Sequence, residues 1–129
     1  MKIIADTHTH TVASGHAYST ITENVRAARE RGLRFLCMTD HAPKLLGAPT
    51  EVFFGAMMNI LPPEIEGVHI LRGVEVNILD REGNLDLKPR ILAGLEWVIA
   101  SMHNIVYEPE DVAAHTRAWL AVAENPDVD

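Results

Sequence analysis

Histidine and acidic residues stand where four apolar runs of the chain end. In chain order these residues are His8, His10, Asp40, His41, Glu75 and His103. Imidazole and carboxylate groups are the usual protein ligands of zinc, manganese and iron. Their recurrence at equivalent places in successive predicted strands indicates a metal site built from several strand ends.

His8 and His10 form a His-x-His pair after the first apolar run. In an extended segment, side chains two positions apart point to the same face and can bind one ion. Asp6 shares this parity one step earlier, so we expect it to orient a ligand imidazole rather than to bind the ion. Alone, the pair is as compatible with a structural role as with metal binding. The other strand ends favour metal binding.

Glu75 ends the third apolar run, between two valines. Its two carboxylate oxygens can bridge two cations, which a neutral imidazole with one free nitrogen cannot do. His41 and His103 end the second and fourth runs and are predicted ligands, whereas Asp40 is predicted to support the site from behind. Each could separately be a structural residue, but four such coincidences are less plausible than one shared site.

Three further histidines differ in their predicted positions. His16 lies in a loop after the first predicted strand, among small residues, and can reach the same face as the ligands. His69 opens the third strand, six residues before Glu75 and thus about 20 Å away at ~3.3 Å per residue. His115 falls on the last predicted helix, outside the site. We therefore predict His16 as a ligand and exclude the other two.

The chain alternates between strand and helix patterns. Strands are predicted over 2–6, 33–39, 68–78 and 97–102, and helices from a Thr20–Glu23 capping box to Gly32, then over 51–61, 87–93 and 109–124. This order predicts a parallel sheet with right-handed crossovers. At about 30 residues per unit, four βα units make roughly half of an eightfold barrel. We predict an α/β fold in one domain over 1–129, the N-terminal half of a β/α barrel.

Composition excludes several classes of protein. The net charge of −7 argues against strong nucleic-acid binding through a basic surface. The single cysteine, Cys37, lies in an apolar run and is predicted to be buried. No apolar stretch reaches the ~20 residues needed to cross a bilayer, and the N-terminus lacks the apolar region of a signal peptide. We expect no membrane contact and a cytoplasmic location.

In their order and spacing, these motifs resemble the PHP (polymerase and histidinol phosphatase) family, in particular its bacterial three-metal phosphatases. The motifs are Asp6-Thr-His-Thr-His-Thr-Val-Ala-Ser14, His16-Ala-Tyr-Ser-Thr20, Thr39-Asp40-His41, Leu71-Arg-Gly-Val-Glu-Val-Asn77 and His103. The resemblance implies a distorted seven-stranded β/α (TIM-like) barrel. It also implies a metal-dependent phosphoesterase that hydrolyses small phosphorylated substrates with a metal-bound hydroxide.

The resemblance further implies two or three divalent metal ions, zinc before manganese or iron. His8 and His10 would bind one ion, Glu75 would bridge it to a second that His103 binds, and His16 with His41 would hold the third. Glu75, His8, His10 and His103 would form the catalytic group.

Two features leave alternatives open. Family members take further ligands from later strands, which this chain does not contain, so we expect either a homo-oligomer or a missing C-terminal half that supplies them. Amidohydrolase barrels also begin with His-x-His and use a metal-bound hydroxide on a carbonyl group. The chain could therefore be an amidohydrolase-type metal hydrolase, or a catalytically incomplete metal-binding fragment.

Overall fold

The chain alternates strands and helices, as the sequence predicts. The computed structural model describes residues 2–129. Its elements are β1 (Ala5–Thr9), α1 (Ile21–Glu30), β2 (Phe35–Met38), α2 (Glu51–Ile60), β3 (Glu64–Ile65), β4 (Val68–Asn77), α3 (Pro89–Leu92), β5 (Trp97–Ser101) and α4 (Val112–Ala123), with a 3₁₀ turn over Val12–Ser14. None of the helices in this range combines the length and the apolar character needed to cross a membrane.

One curled sheet organises the fold. The strands β1, β2, β4 and β5 are parallel neighbours in that order, and β3 pairs antiparallel with the start of β4. The sheet has the curvature of a half-barrel, which confirms the predicted N-terminal half of a TIM-like barrel. The indole Nε1 of Trp97 in β5 donates a hydrogen bond of 3.0 Å to the carbonyl of Thr7 in β1. This bond links the first and last strands of the curl.

The strand β4 separates the core from the candidate site. Val74 and Val76 point to one face and are buried in the main apolar cluster, together with Phe54 and Met57 of α2. Side chains of a strand alternate between its faces, so the residue between the two valines, Glu75, points to the opposite face. The same apolar packing that holds the sheet on its helices thus turns this carboxylate inward.

Two local predictions are confirmed in detail. Thr20 and Glu23 form the predicted capping box, in which each side chain accepts a hydrogen bond from the backbone N–H of the other, and α1 ends before Gly32. Cys37 is fully buried, and burial raises the pKa of its thiol to about 11. At neutral pH this cysteine is therefore a protonated core residue with little reactivity.

The largest differences from the sequence prediction concern β1, β3 and α4. The strand β1 begins at Ala5 rather than at residue 2, because its pairing with β2 begins at Ala5 and Phe35. The strand β3 was not predicted; its hairpin turns through Glu66 and Gly67, both with positive φ, the type I′ geometry that favours glycine. The helix α4 begins after Asp111, whose side chain accepts from the backbone N–H of Ala114, so Pro109 precedes the helix.

Candidate metal site

The strand β1 contains a β-bulge in the segment that carries His8. Between Asp6 and Thr9 this strand advances three residues while β2 advances two, from Leu36 to Met38, so β1 contains one extra residue. Such bulges turn side chains out of the regular alternation. The Nε2 atoms of His8 and His10 lie 3.0 Å apart. Because β1 runs to Thr9, His8 lies within the strand rather than beyond its end.

Glu75 is the centre of the site. Its Oε2 atom lies 3.0 Å from His8 Nε2, 3.2 Å from His10 Nε2 and 3.0 Å from His41 Nδ1. Its Oε1 atom lies 3.6 Å from His103 Nε2. The side chain of Glu75 is only 4% exposed, whereas that of His8 is 51% exposed, so the site opens to solvent on the His8 side.

The side chains form two groups that share this carboxylate. One group is His8, His10 and Glu75, the other is His41, Glu75 and His103, and the donor atoms of each group lie within 4.8 Å of one another. His16 lies beside the second group, with its Nε2 atom 3.3 Å from His41 Nε2. The structure therefore brings all six predicted ligands together, whereas His69 and His115 lie elsewhere.

The two ring nitrogens of His41 face different residues. Its Nδ1 atom faces Glu75 and its Nε2 atom faces His16. A neutral imidazole has one nitrogen lone pair, so this ring can bind only one ion at a time. The buried Nδ1 atom has no hydrogen-bond partner of acceptable geometry, although Glu75 is close. An unpaired buried nitrogen in the middle of a set of donors is costly by itself and fits a metal ligand.

In three other rings, a hydrogen bond determines which nitrogen carries the proton. The Nδ1 atoms face acceptors in each case: Ser14 Oγ at 3.1 Å from His10, the Ser14 carbonyl at 3.0 Å from His16, and Asn77 Oδ1 at 2.8 Å from His103. A carbonyl oxygen can only accept, so each Nδ1 facing one carries the proton. The lone pair of each Nε2 atom is then available to an ion.

Asp40 supports the site through Ser14. This buried carboxylate accepts hydrogen bonds from Thr11 N, Thr11 Oγ1 and Ser14 Oγ, at 2.7, 2.8 and 2.7 Å. Because Ser14 Oγ donates its proton to Asp40, it has only lone pairs left for His10, and it also accepts from the backbone N–H of His41. Asp40 therefore orients His10 indirectly.

Asp6 departs from its expected place. Its carboxylate accepts from the backbone N–H of His8, at 3.3 Å, and not from an imidazole. The cause is the bulge, which breaks the alternation between Asp6 and His8 on which the expectation rested.

Ser14 and Asn77 were missed by the reasoning from sequence. Asn77 follows Glu75 by two positions in β4, so its parity would have placed it on the same face. Ser14 belongs to a loop of small residues that gives no comparable signal.

The charge state of the site suits cations. Burial alone would raise the pKa of Glu75, but the neighbouring imidazoles of His10, His41 and His8 outweigh burial and hold that pKa well below its usual value. Burial lowers the pKa of His103, against the attraction of Glu75. At neutral pH the carboxylate is therefore ionised and this imidazole neutral, which are the forms that bind metal ions. Imidazole and carboxylate donors suit zinc, manganese and iron.

The fold and these side chains define an α/β half-barrel with a His/Glu cluster at the carboxyl ends of its parallel strands. The model of the PHP domain family matches residues 6–125. The chain belongs to the PHP domain family, as the sequence motifs indicate.

Relatives with known names agree with this assignment. The chain is 55% identical over 130 residues to a probable phosphatase of Thermoanaerobacter sp. (strain X514), an alignment of 100% of this chain and 53% of the relative. It is 51% identical to a probable phosphatase of Caldanaerobacter subterraneus subsp. tengcongensis and 50% identical to one of Vibrio cholerae serotype O1, covering 51% and 52% of these proteins and 100% of this chain in both cases. The chain spans about half the length of the curated relatives it matches.

Proposed function

We propose that this chain carries the metal-binding side of a phosphoesterase that hydrolyses small phosphorylated substrates. The observation that supports this most is the buried carboxylate of Glu75, which two groups of histidines share. A carboxylate shared in this way is the arrangement that two-metal hydrolases need. The phosphatase names of the relatives favour phosphate esters over the amides of the alternative hypothesis.

The proposed ligands follow from the two groups. His8, His10 and Glu75 would hold one ion, and Glu75 and His103 a second, with His41 available either to the second or, with His16, to a third. Divalent ions there would lower the pKa of a bound water and neutralise charge on the phosphoryl oxygens. With neutral imidazoles, two divalent cations, one carboxylate and one hydroxide sum to two positive charges, so the site would attract an anionic ester. Zinc, ahead of manganese or iron, remains a prediction, as does the cytoplasmic location.

We expect hydrolysis of a chromogenic phosphate ester that stops when a chelator removes the metal and returns when the ion is added back. The control is His69→Ala, since His69 pairs with Glu64 at the opposite end of the sheet and should not affect turnover. Hydrolysis of a cyclic amide without hydrolysis of any phosphate ester would support the amidohydrolase instead. Metal binding without turnover of either substrate would support the catalytically incomplete fragment.

The outer edge of β5 is only partly paired, which suggests that this site is completed by more polypeptide. Val98 exchanges hydrogen bonds of 2.9 Å with the backbone N–H and the side chain of Asp129, and no further strand pairs with that edge within residues 2–129. An open edge of an apolar parallel strand favours association. We propose that a second copy of the chain, or the remaining part of a PHP domain, covers this edge and adds ligands.

Light scattering on the purified chain tests this proposal. We expect a dimer, or a complex once the C-terminal part of the Thermoanaerobacter relative is added. A dispersed 14.3 kDa monomer with full phosphatase activity would contradict it.

A further inference from the structure

Asn77, two positions after Glu75 in β4, has a completely buried side chain whose polar atoms are all used. Its amide nitrogen Nδ2 donates to Asp86 Oδ2 at 2.7 Å and to the carbonyl of Ala42 at 3.1 Å. Its backbone N–H donates to the other oxygen of Asp86, at 2.8 Å. The remaining atom, Oδ1, lies 2.8 Å from Nδ1 of His103.

This network allows only one orientation of the amide. If the group were turned over, its oxygen would face the Asp86 carboxylate and the Ala42 carbonyl, which are both acceptors. The amide nitrogen would then face His103 and have no acceptor for one of its hydrogens. Oδ1 must therefore accept, and the proton between Asn77 and His103 must belong to Nδ1 of the ring.

We propose that Asn77 is a positioning residue that holds His103 as its Nδ1–H tautomer, with the lone pair of Nε2 directed at the Glu75 side of the site. Nε2 lies 3.6 Å from Glu75 Oε1, in the group that would bind the second ion. Asp86 acts indirectly, since it fixes the orientation of the Asn77 amide, which in turn orients the His103 ring. The role in binding the ion rests on the proposed function, whereas the choice of tautomer does not.

The tautomer can be measured by ¹H–¹⁵N NMR of the histidine rings in the metal-free protein at pH 8. The native His103 should show a protonated Nδ1. Asn77→Leu keeps the approximate size but removes the acceptor, so the proton should move to Nε2, from which the ring can donate to Glu75. Asn77→Asp retains an acceptor oxygen and should retain the Nδ1–H tautomer, even if the new charge beside Asp86 lowers stability.

Metal titration provides the second measurement. Removing a residue that hydrogen-bonds to a metal ligand typically lowers metal affinity 10- to 100-fold. We therefore expect Asn77→Leu to lower the affinity for the second ion by that factor and to leave the affinity for the ion of His8 and His10 unchanged. Val76→Ala is the matched control, because it disturbs a buried neighbour in the same strand on the opposite face. It should leave both the tautomer and the metal affinities unchanged.

A folded Asn77→Leu variant that keeps the Nδ1–H tautomer would overturn the proposal. A Val76→Ala variant that shifts the tautomer as much as Asn77→Leu does would also overturn it, because the shift would then follow from a general loss of stability. If the native protein bound no metal but showed the predicted change of tautomer, the positioning role would stand and the proposed function would fail.

Discussion

Replacing Glu75 by glutamine should remove the ions of both groups at once. The amide keeps the shape of the side chain, but it is neutral and only its oxygen can bind a cation, so it cannot bridge two ions. Because both groups of potential ligands share this one carboxylate, the metal content of dialysed protein should fall close to zero. His16→Ala should lose at most one ion, since His16 lies beside His41 and outside both groups.

Elemental analysis of the dialysed variants measures this difference, with circular dichroism to show that each variant is folded. His69→Ala serves as the histidine control, since it lies at the other end of β4. Equal metal content in Glu75→Gln and His16→Ala would contradict the proposal that Glu75 bridges two ions.

Gly73→Ala should be the most damaging small substitution in the sheet. A Cβ atom on Gly73 would collide with the backbone oxygen of Trp97 and lie 3.3 Å from the backbone oxygen of Met38. These atoms belong to the strands on either side of β4, so no flexible side chain can move aside. Overpacking costs about 1–3 kcal/mol, and this rigid position should reach the upper end. At roughly 4 °C per kcal/mol, the melting temperature should fall by about 10 °C.

Gly55→Ala is the matched control. Gly55 lies inside α2, and a Cβ atom there meets nothing within 4 Å. Alanine is favoured over glycine in a helix by about 1 kcal/mol, so this variant should melt at a higher temperature than the native protein. Similar losses of stability in both variants would show that the close approach of β4 and β5 at Gly73 is not the cause.

The sequence predicted those features that depend on local chemistry. The capping box of α1 needs only Thr20 and Glu23, and the parity of β4 needs only the valines around Glu75. The convergence of the ligands followed from the parallel topology, because parallel strands bring their carboxyl ends to one edge.

The features that the sequence did not predict depend on distant neighbours. The bulge of β1 exists only in relation to β2, which explains why the parity argument failed for Asp6. The two directions of His41 arise because the loop after β1, which carries His16, and the strand β4, which carries Glu75, converge on it. Asn77 could have been found by parity, but its function depends on Asp86 and Ala42, which only the folded chain brings together.

The candidate ligands are spread along almost the whole chain, from His8 in β1 to His103 after β5. An unfolded chain keeps few of these ligands close together, chiefly His8 and His10, so an ion at the shared carboxylate would bind the folded state far more tightly. Such an ion stabilises the folded state by about 4 kcal/mol when its free concentration is a thousand times its Kd. In a cell that lacks the metal, more of the chain would then be unfolded and open to proteases. The amount of this protein would follow the metal supply, independently of any change in its rate of catalysis.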